Sequence, residues 1–211
     1  MLTEYLKAAI AIFVLIDPIG AIPVYLSITP SYTPAEHRRT VWRIALAMTL
    51  ILLGSLAMGG PLLALLGVSI PAFRVAGGLL LLLLALEMMR TDAGASRQTR
   101  EAGTEAAEKP DIAVIPMATP ILAGPGAIGA MIVYGHLKAS LVNYLVLAAV
   151  ACLIGALTWM FLRMAAPLGA RLGRTGAGLL TRIMALLLAA IAVEMAANGL
   201  RDLFPVLATA R

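Results

Sequence analysis

Two short stretches set helix-breaking residues inside apolar sequence. Asp17-Pro18-Ile19-Gly20-Ala21-Ile22-Pro23 and Thr119-Pro120-Ile121-Leu122-Ala123-Gly124-Pro125 agree at four of seven positions, both prolines included. A proline lacks a backbone N–H, and its ring clashes with the carbonyl one turn back. With Gly20 in the first stretch, and Gly124 and Gly126 in the second, an interrupted helix is expected at each place. An interruption frees main-chain N–H groups at one new helix end and C=O groups at the other, equivalent to roughly half a positive and half a negative charge. A zwitterion, with carboxylate and ammonium close together, fits such a pair of ends, and the Gly and Ala content favours a small side chain. The candidate contacts are Asp17, Gly20, Ala21, Thr119, Ala123, Gly124 and Gly126. The plainer alternative is two proline kinks that only shape helix packing.

Asp17 is the one acid inside its apolar run. A carboxylate at membrane depth is costly and is a functional candidate by default. It could meet a substrate ammonium, titrate as a coupling site for protons, or cap the following half-helix through its backbone N–H groups. Thr119, its counterpart, carries no charge, so proton coupling through this position would be asymmetric.

Arg74 and Glu87 form a second pattern with Arg182 and Glu194. Each Arg precedes its Glu by about 18–20 Å of helix at 1.5 Å per residue, too far to pair within one helix. Between inverted helices, Arg74 would meet Glu194 and Arg182 would meet Glu87, as alternating gates or as static struts. Asn198 could line a substrate path, although Gly199 after it suggests a helix-end cap. Gly54, Gly59, Gly77, Gly78 and Gly155 suit close helix crossings. His37 and His136 fall in loops or at edges without plausible metal partners. Cys152 reads as a buried, inert thiol.

The elements that would position these groups are membrane spans. Of 211 residues, 61% are hydrophobic and 13% charged, with a mean hydropathy of +0.95, whereas soluble domains are about 45–50% apolar and about 25% charged. Crossing about 30 Å of hydrocarbon takes about 20 helical residues. Six segments qualify: 5–28, 41–60, 72–90, 112–134, 141–165 and 179–203. Gly59-Gly60-Pro61 and Gly67 to Pro71 frame a short apolar connection, and Gly169 to Gly178 makes another loop. Eleven of the sixteen Lys and Arg residues fall on the side of the first, third and fifth loops. The positive-inside rule makes that side cytoplasmic and both termini extracytoplasmic. The cations are too scattered for a nucleic-acid surface, and the N-terminal run lacks the basic leader of a cleavable signal peptide.

The proline stretches, followed in each half by the Arg–Glu pair, read as an internal duplication. Three spans per half is an odd number, so the second half runs inverted, a recurring transporter architecture. The expected fold is all-α: a polytopic membrane protein of six transmembrane helices as two inverted three-helix repeats, with helices 1 and 4 broken at the proline/glycine motifs. Residues 1–90 form the first repeat, 91–111 a polar cytoplasmic loop and 112–211 the second repeat.

Asp17-Pro18-Ile19-Gly20-Ala21-Ile22-Pro23, the run from Pro120 to Ile128, and Asn198-Gly199 resemble the MarC family, also called the small neutral amino acid transporter family, over essentially the whole chain. The resemblance implies a six-span protein of the bacterial inner membrane that carries glycine, alanine and related amino acids, with protons as a candidate coupling ion. Many relatives have Asn where this chain has Asp17. The function expected is therefore secondary transport of small neutral amino acids by alternating access, without cofactor or metal, in a lipid bilayer, as a monomer or a homo-oligomer. An exporter or channel for other small metabolites would use the same architecture. A membrane-embedded lipid enzyme is disfavoured, since there is no HExxH or GxSxG motif, no paired carboxylates on one helix face and no buried histidine.

Overall fold

A computed structural model describes residues 2–30, 32–90, 122–136 and 140–204. Among them every regular element is helical and there is no strand: α1 Leu2–Ile16, α2 Ala21–Ile28, α3 Pro34–Leu65, α4 Ile70–Arg90, α5 Pro125–His136, α6 Leu141–Arg163 and α7 Ala165–Leu203. Thr119 and Pro120, and the polar stretch 91–111, lie outside the described residues.

The helix ends follow local chemistry. Thr33 and Glu36 form a reciprocal capping box with Pro34 in the first turn of α3: the Thr33 N–H donates to Glu36 Oε2 at 2.7 Å, and the Glu36 N–H donates to Thr33 Oγ1 at 3.3 Å. Two orphan donors are satisfied together. At the other end Gly67 adopts a left-handed φ of 69°, its N–H bonds to Ala64 O, and that of Val68 reaches Leu63 O. This is the Schellman stop that glycine permits without strain.

Four segments are long and apolar enough to cross a membrane: α3, α4, α6 and residues Gly178–Leu203 of α7. Their outward faces are leucine-rich rather than polar, with Leu50 and Leu62 on α3, Leu79 and Leu83 on α4, Leu145 and Leu153 on α6, and Leu186 on α7 all exposed. In water such a surface would be strongly unfavourable; in hydrocarbon it is the expected exterior. Cys152 lies on this exterior, exposed rather than buried.

Several boundaries differ from the sequence expectation. Helix α3 runs through Gly59-Gly60-Pro61 to Leu65, because a lone proline removes a single donor and need not end a membrane helix whose neighbours compensate. Residues 169–178 continue α7 rather than forming a loop, and α6 passes into α7 at Met164 alone. Helix α7 likewise continues past Asn198-Gly199 to Leu203, so neither residue is a helix-end cap. The glycines explain the packing instead. A Cβ on Gly78 would stand 2.7 Å from Ala192 O and 2.8 Å from Ala196 N, and one on Gly199 would stand 2.9 Å from Pro71 O and from Val75 N. Gly59 and Gly60 abut Ile132 and His136, and Gly155 abuts Thr49. Gly54 has open space around it and is not a crossing point.

These contacts give α4 and α7 their direction and register. Gly78 faces the turn between Ala192 and Ala196, while Gly199 faces the turn between Pro71 and Val75. The helices are therefore antiparallel, with Arg74 level with Asn198. The same register sets Glu87 level with Ala185, less than one turn from Arg182.

Gly78→Val should cost about 1–3 kcal/mol by overpacking against backbone, read as a lowered thermal midpoint in detergent, whereas Gly54→Ala should be neutral or stabilising by up to ~1 kcal/mol. The bonds from Thr33 hold the exposed Glu36 carboxyl below its ordinary value. The stability this confers is complete above the ordinary carboxylate value and is lost as pH falls through the lowered one. Unfolding measured from neutral to acid pH should show that loss, and Glu36→Gln, which keeps the bonding but not the titration, should flatten it.

Candidate functional site

The helical run from Leu2 to Ile28 is interrupted where the prolines and glycine require it. Helix α1 ends at Ile16, α2 begins at Ala21, and Asp17 between them takes a positive φ of 41°. Left-handed backbone is uncommon outside glycine, and Asp and Asn tolerate it best. The Asp17 N–H closes α1 on Phe13 O at 3.1 Å. Its carboxylate Oδ1 then accepts the Gly20 N–H at 3.0 Å, and its carbonyl accepts the Ala21 N–H at 3.1 Å. Ile22 donates to Ile19 O at 3.1 Å, a carbonyl that Pro23, without an N–H, could not serve. One residue therefore closes one half-helix and holds the start of the next. Gly20 is required here because a Cβ would strike the Asp17 carboxylate.

The N–H groups of Asp17, Gly20, Ala21 and Ile22 are thus placed, and the acceptors are not treated alike. In a continuous helix Val14 O would receive the N–H of residue 18, and Ile16 O that of residue 20. Pro18 has none to give, and Gly20 gives its own to Asp17. The last turn of α1 presents carbonyls stripped of helical donors, beside the negative end of its dipole.

The second motif enters the same region. The Gly124 carbonyl accepts the Ile128 N–H at 3.1 Å, making Gly124 the start of α5, and Ala123 is buried at 1% exposure. A Cβ on Gly126 would press on Leu81 of α4 and stand 3.3 Å from Leu15 Cδ2 of α1. Leu15 is two residues before Asp17, and Gly126 two after Gly124. The amino end of α5, with Gly124 and Gly126, therefore lies beside the carboxyl end of α1 that leads into Asp17, and Asp17 in turn holds Gly20 and Ala21. Asn198 is placed elsewhere.

Asn198, Arg74 and Glu194 line a half-enclosed cavity of about 500 Å³, together with Glu4, Lys7, Tyr134 and Asn143. The ion pair recorded at Arg74 is to Asp202, Nη1 to Oδ2 at 2.6 Å. The sequence reading did not single out Asp202, although Glu194, Asn198 and Asp202 at i, i+4 and i+8 form a visible stripe on one helix face. Asn143, only 3% exposed, was also missed. Its Nδ2 donates to Tyr134 O at 3.1 Å and Gly135 O at 3.0 Å, tying the end of α5 to the start of α6.

A second cavity of about 310 Å³ is lined by Tyr25, His37, Arg38, Val41, Trp159 and Arg163, among others. His37 is not a detached loop residue: Tyr25 Oη and His37 Nδ1 are 2.8 Å apart, and Arg163 lies over the Trp159 ring at 5.1 Å. The two cavities occupy opposite ends of α3. Val41 lines the second, whereas Gly59 and Gly60 pack on Ile132 and His136, next to Val133 and Tyr134 of the first cavity. Val41 and Gly59 are about 27 Å apart at 1.5 Å per residue, close to the thickness of a hydrocarbon core. Along the run from α1 to α2, Ala11 bounds one cavity and Tyr25 the other, and the interruption lies between them. It is about 9 Å beyond Ala11 and about 8 Å short of Tyr25 on the same scale.

Among the described residues, an all-helical fold with several lipid-facing spans defines a multi-pass integral membrane protein. Residues 2–204 match the family described as MarC family integral membrane protein. The chain is 39% identical over 202 residues to the UPF0056 membrane protein YhcE of Escherichia coli (strain K12), covering 95% of this chain and 94% of the relative. It is 39% identical over 203 residues to a UPF0056 membrane protein of Methanocaldococcus jannaschii, covering 95% and 97%, and 34% identical over 200 residues to YvbG of Bacillus subtilis (strain 168), covering 94% of each. No solved structure matches the chain. The chain belongs to the MarC family of integral membrane proteins.

Asp17→Ala should remove the cap and cost about 0.5–2 kcal/mol. Asp17→Asn, which keeps an acceptor oxygen and tolerates left-handed backbone, should stay within about 0.5 kcal/mol of the parent. Thermal unfolding in detergent compares the two, and Gly20→Ala should behave as Asp17→Ala or worse.

Proposed function

We propose that this protein is a secondary transporter of small neutral amino acids such as glycine and alanine, working by alternating access. The observation that carries this reading is the interrupted first span, placed between two cavities at opposite ends of the molecule. A break in hydrocarbon leaves polar main chain that costs several kcal/mol per unsatisfied group. It is tolerated where a water-lined or solute-lined path meets it. The amino end of α5 offers N–H groups to a carboxylate, while Asp17 and the last carbonyls of α1 offer acceptors to an ammonium. Leu15, Leu81 and Ala123 leave room for only a small side chain.

The architecture that goes with this reading is six spans in two inverted three-helix repeats, the fourth span interrupted before Gly124 as the first is at Asp17. The antiparallel pairing of α4 with α7, its counterpart in the other half, suits a two-fold relation in the membrane plane. The first turns of α1, with Glu4 and Lys7, and the later turns of α7, with Asn198, line the Arg74 cavity. By the cation count that cavity faces the extracytoplasmic side of a bacterial inner membrane, and the Tyr25–His37 cavity the cytoplasm. Protons coupling through Asp17 supply the driving force. The protein is a carrier and not an enzyme.

The test is uptake of labelled glycine and alanine into liposomes holding the purified protein, with and without an imposed pH gradient. Saturable uptake, counterflow and stimulation by the gradient are expected, with gradient stimulation lost in Asp17→Asn. Neither uptake nor exchange of any small neutral amino acid would overturn the assignment, and flux without counterflow would make the protein a channel.

A further inference from the structure

Resting on that transport reading, we infer that the outer cavity holds a separate receiving site for the zwitterion. Its carboxylate is taken by Arg74 in exchange for Asp202, and its ammonium by Glu194 one helical turn deeper.

The register between α4 and α7 carries this. Arg74 is level with Asn198, and so stands one turn from Glu194 on the inner side and one turn from Asp202 on the outer side. Each step is four residues, about 6 Å of axial rise. Glu194, Asn198 and Asp202 share the face of α7 turned toward Arg74, so the guanidinium has an anion on either side. In this structure it bonds outward, to Asp202. The pair is lopsided, with side-chain exposures of 12% for Arg74 and 51% for Asp202. A half-solvated carboxylate gives up its partner at little cost. A buried guanidinium does not, since leaving it unpaired away from water is strongly unfavourable. Its Nε has no hydrogen-bond partner, so the fork is only partly used. A substrate carboxylate entering the cavity would meet a cation that is held in place but weakly committed.

The cavity selects by charge. Its wall carries two cations, Lys7 and Arg74, and two acids, Glu4 and Glu194. A balanced lining disfavours net anions and net cations alike and suits a solute bearing both charges a few ångströms apart. Asn143 is spent on Tyr134 and Gly135 and serves as wall. This site is distinct from the interruption at Asp17, about 9 Å farther in than Ala11. It would concentrate substrate, orient it and admit it when the inner path opens.

The proposal is tested by equilibrium binding of labelled L-alanine to the purified full-length protein in lipid nanodiscs, with alaninamide and propionate as competitors. Wild type should bind alanine. Alaninamide, which lacks the carboxylate, and propionate, which lacks the ammonium, should each compete at least ~10-fold more weakly than alanine. Arg74→Gln and Glu194→Gln should each weaken alanine binding about 10–100-fold. Asp202→Asn alters a half-exposed side chain and should tighten it about 2–5-fold by removing the internal competitor. A mere strut would give no such tightening. Gly20→Ala should abolish liposome uptake yet leave Arg74-dependent binding in place. Alanine binding unchanged in Arg74→Gln, or weakened in Asp202→Asn, would overturn the receiving site while leaving the transport reading intact. Wild type that binds no small neutral amino acid would overturn both.

Discussion

Hydrocarbon offers no hydrogen bonds, so every main-chain donor and acceptor inside a membrane needs a partner within the protein or in water it admits. The stretch from Asp17 to Gly20 is where this constraint presses hardest. Pro18 takes away one donor, the left-handed turn at Asp17 redirects the chain, and Gly20 gives its N–H to a side-chain oxygen. A single carboxylate makes the break tenable on the donor side and leaves the final carbonyls of α1 to find other partners. The imbalance has a sign. On the transport reading proposed above, it suits a ligand that brings hydrogen-bond donors and positive charge.

Backbone contact across glycine fixes most of the remaining geometry. Gly78 and Gly199 let α4 and α7 touch main chain to main chain, and Gly59 and Gly60 let α3 close on the side chains of Ile132 and His136. In lipid, where burial of apolar surface gives helices little reason to associate, such close approach supplies dispersion contacts that larger residues would forbid. It also sets registers that no side chain could slip past. The level of Arg74 against Glu194, Asn198 and Asp202 is a consequence of where two glycines sit, and so is the separation of the two cavities along α3.

The cavities and the break then form one continuous arrangement: polar groups at each face, an apolar plug on either side of Asp17, and an unfinished backbone between. The plug is short. Ile12 and Ile16, both sealed from solvent at 0% and 2% exposure, stand between Ala11 and the interruption. Repacking a few aliphatic side chains is the kind of change on which two discrete states differ, because packed interiors are bistable rather than continuously deformable.

Much of this was legible in the residues. Composition alone demanded a membrane, because no soluble core could hide so much apolar surface. The Asp17 motif announced its own interruption, because proline and glycine act on the backbone locally and owe nothing to distant partners. Helix continuity was less legible. Pro61 and Gly199 read as stops, yet both sit inside helices, since tertiary neighbours decided whether a breaker breaks. The partner of Arg74 was not legible. Arg74 pairs with Asp202 in this structure, a partner settled by the α4–α7 register, and His37 belongs with Tyr25, because only the folded chain brings the end of α2 beneath the start of α3. Sequence by itself determined the solvent, the interruption at Asp17 and the residue types placed around it. The tertiary structure decided which charges meet and which cavity each one faces, because those depend on contacts between helices far apart in the chain.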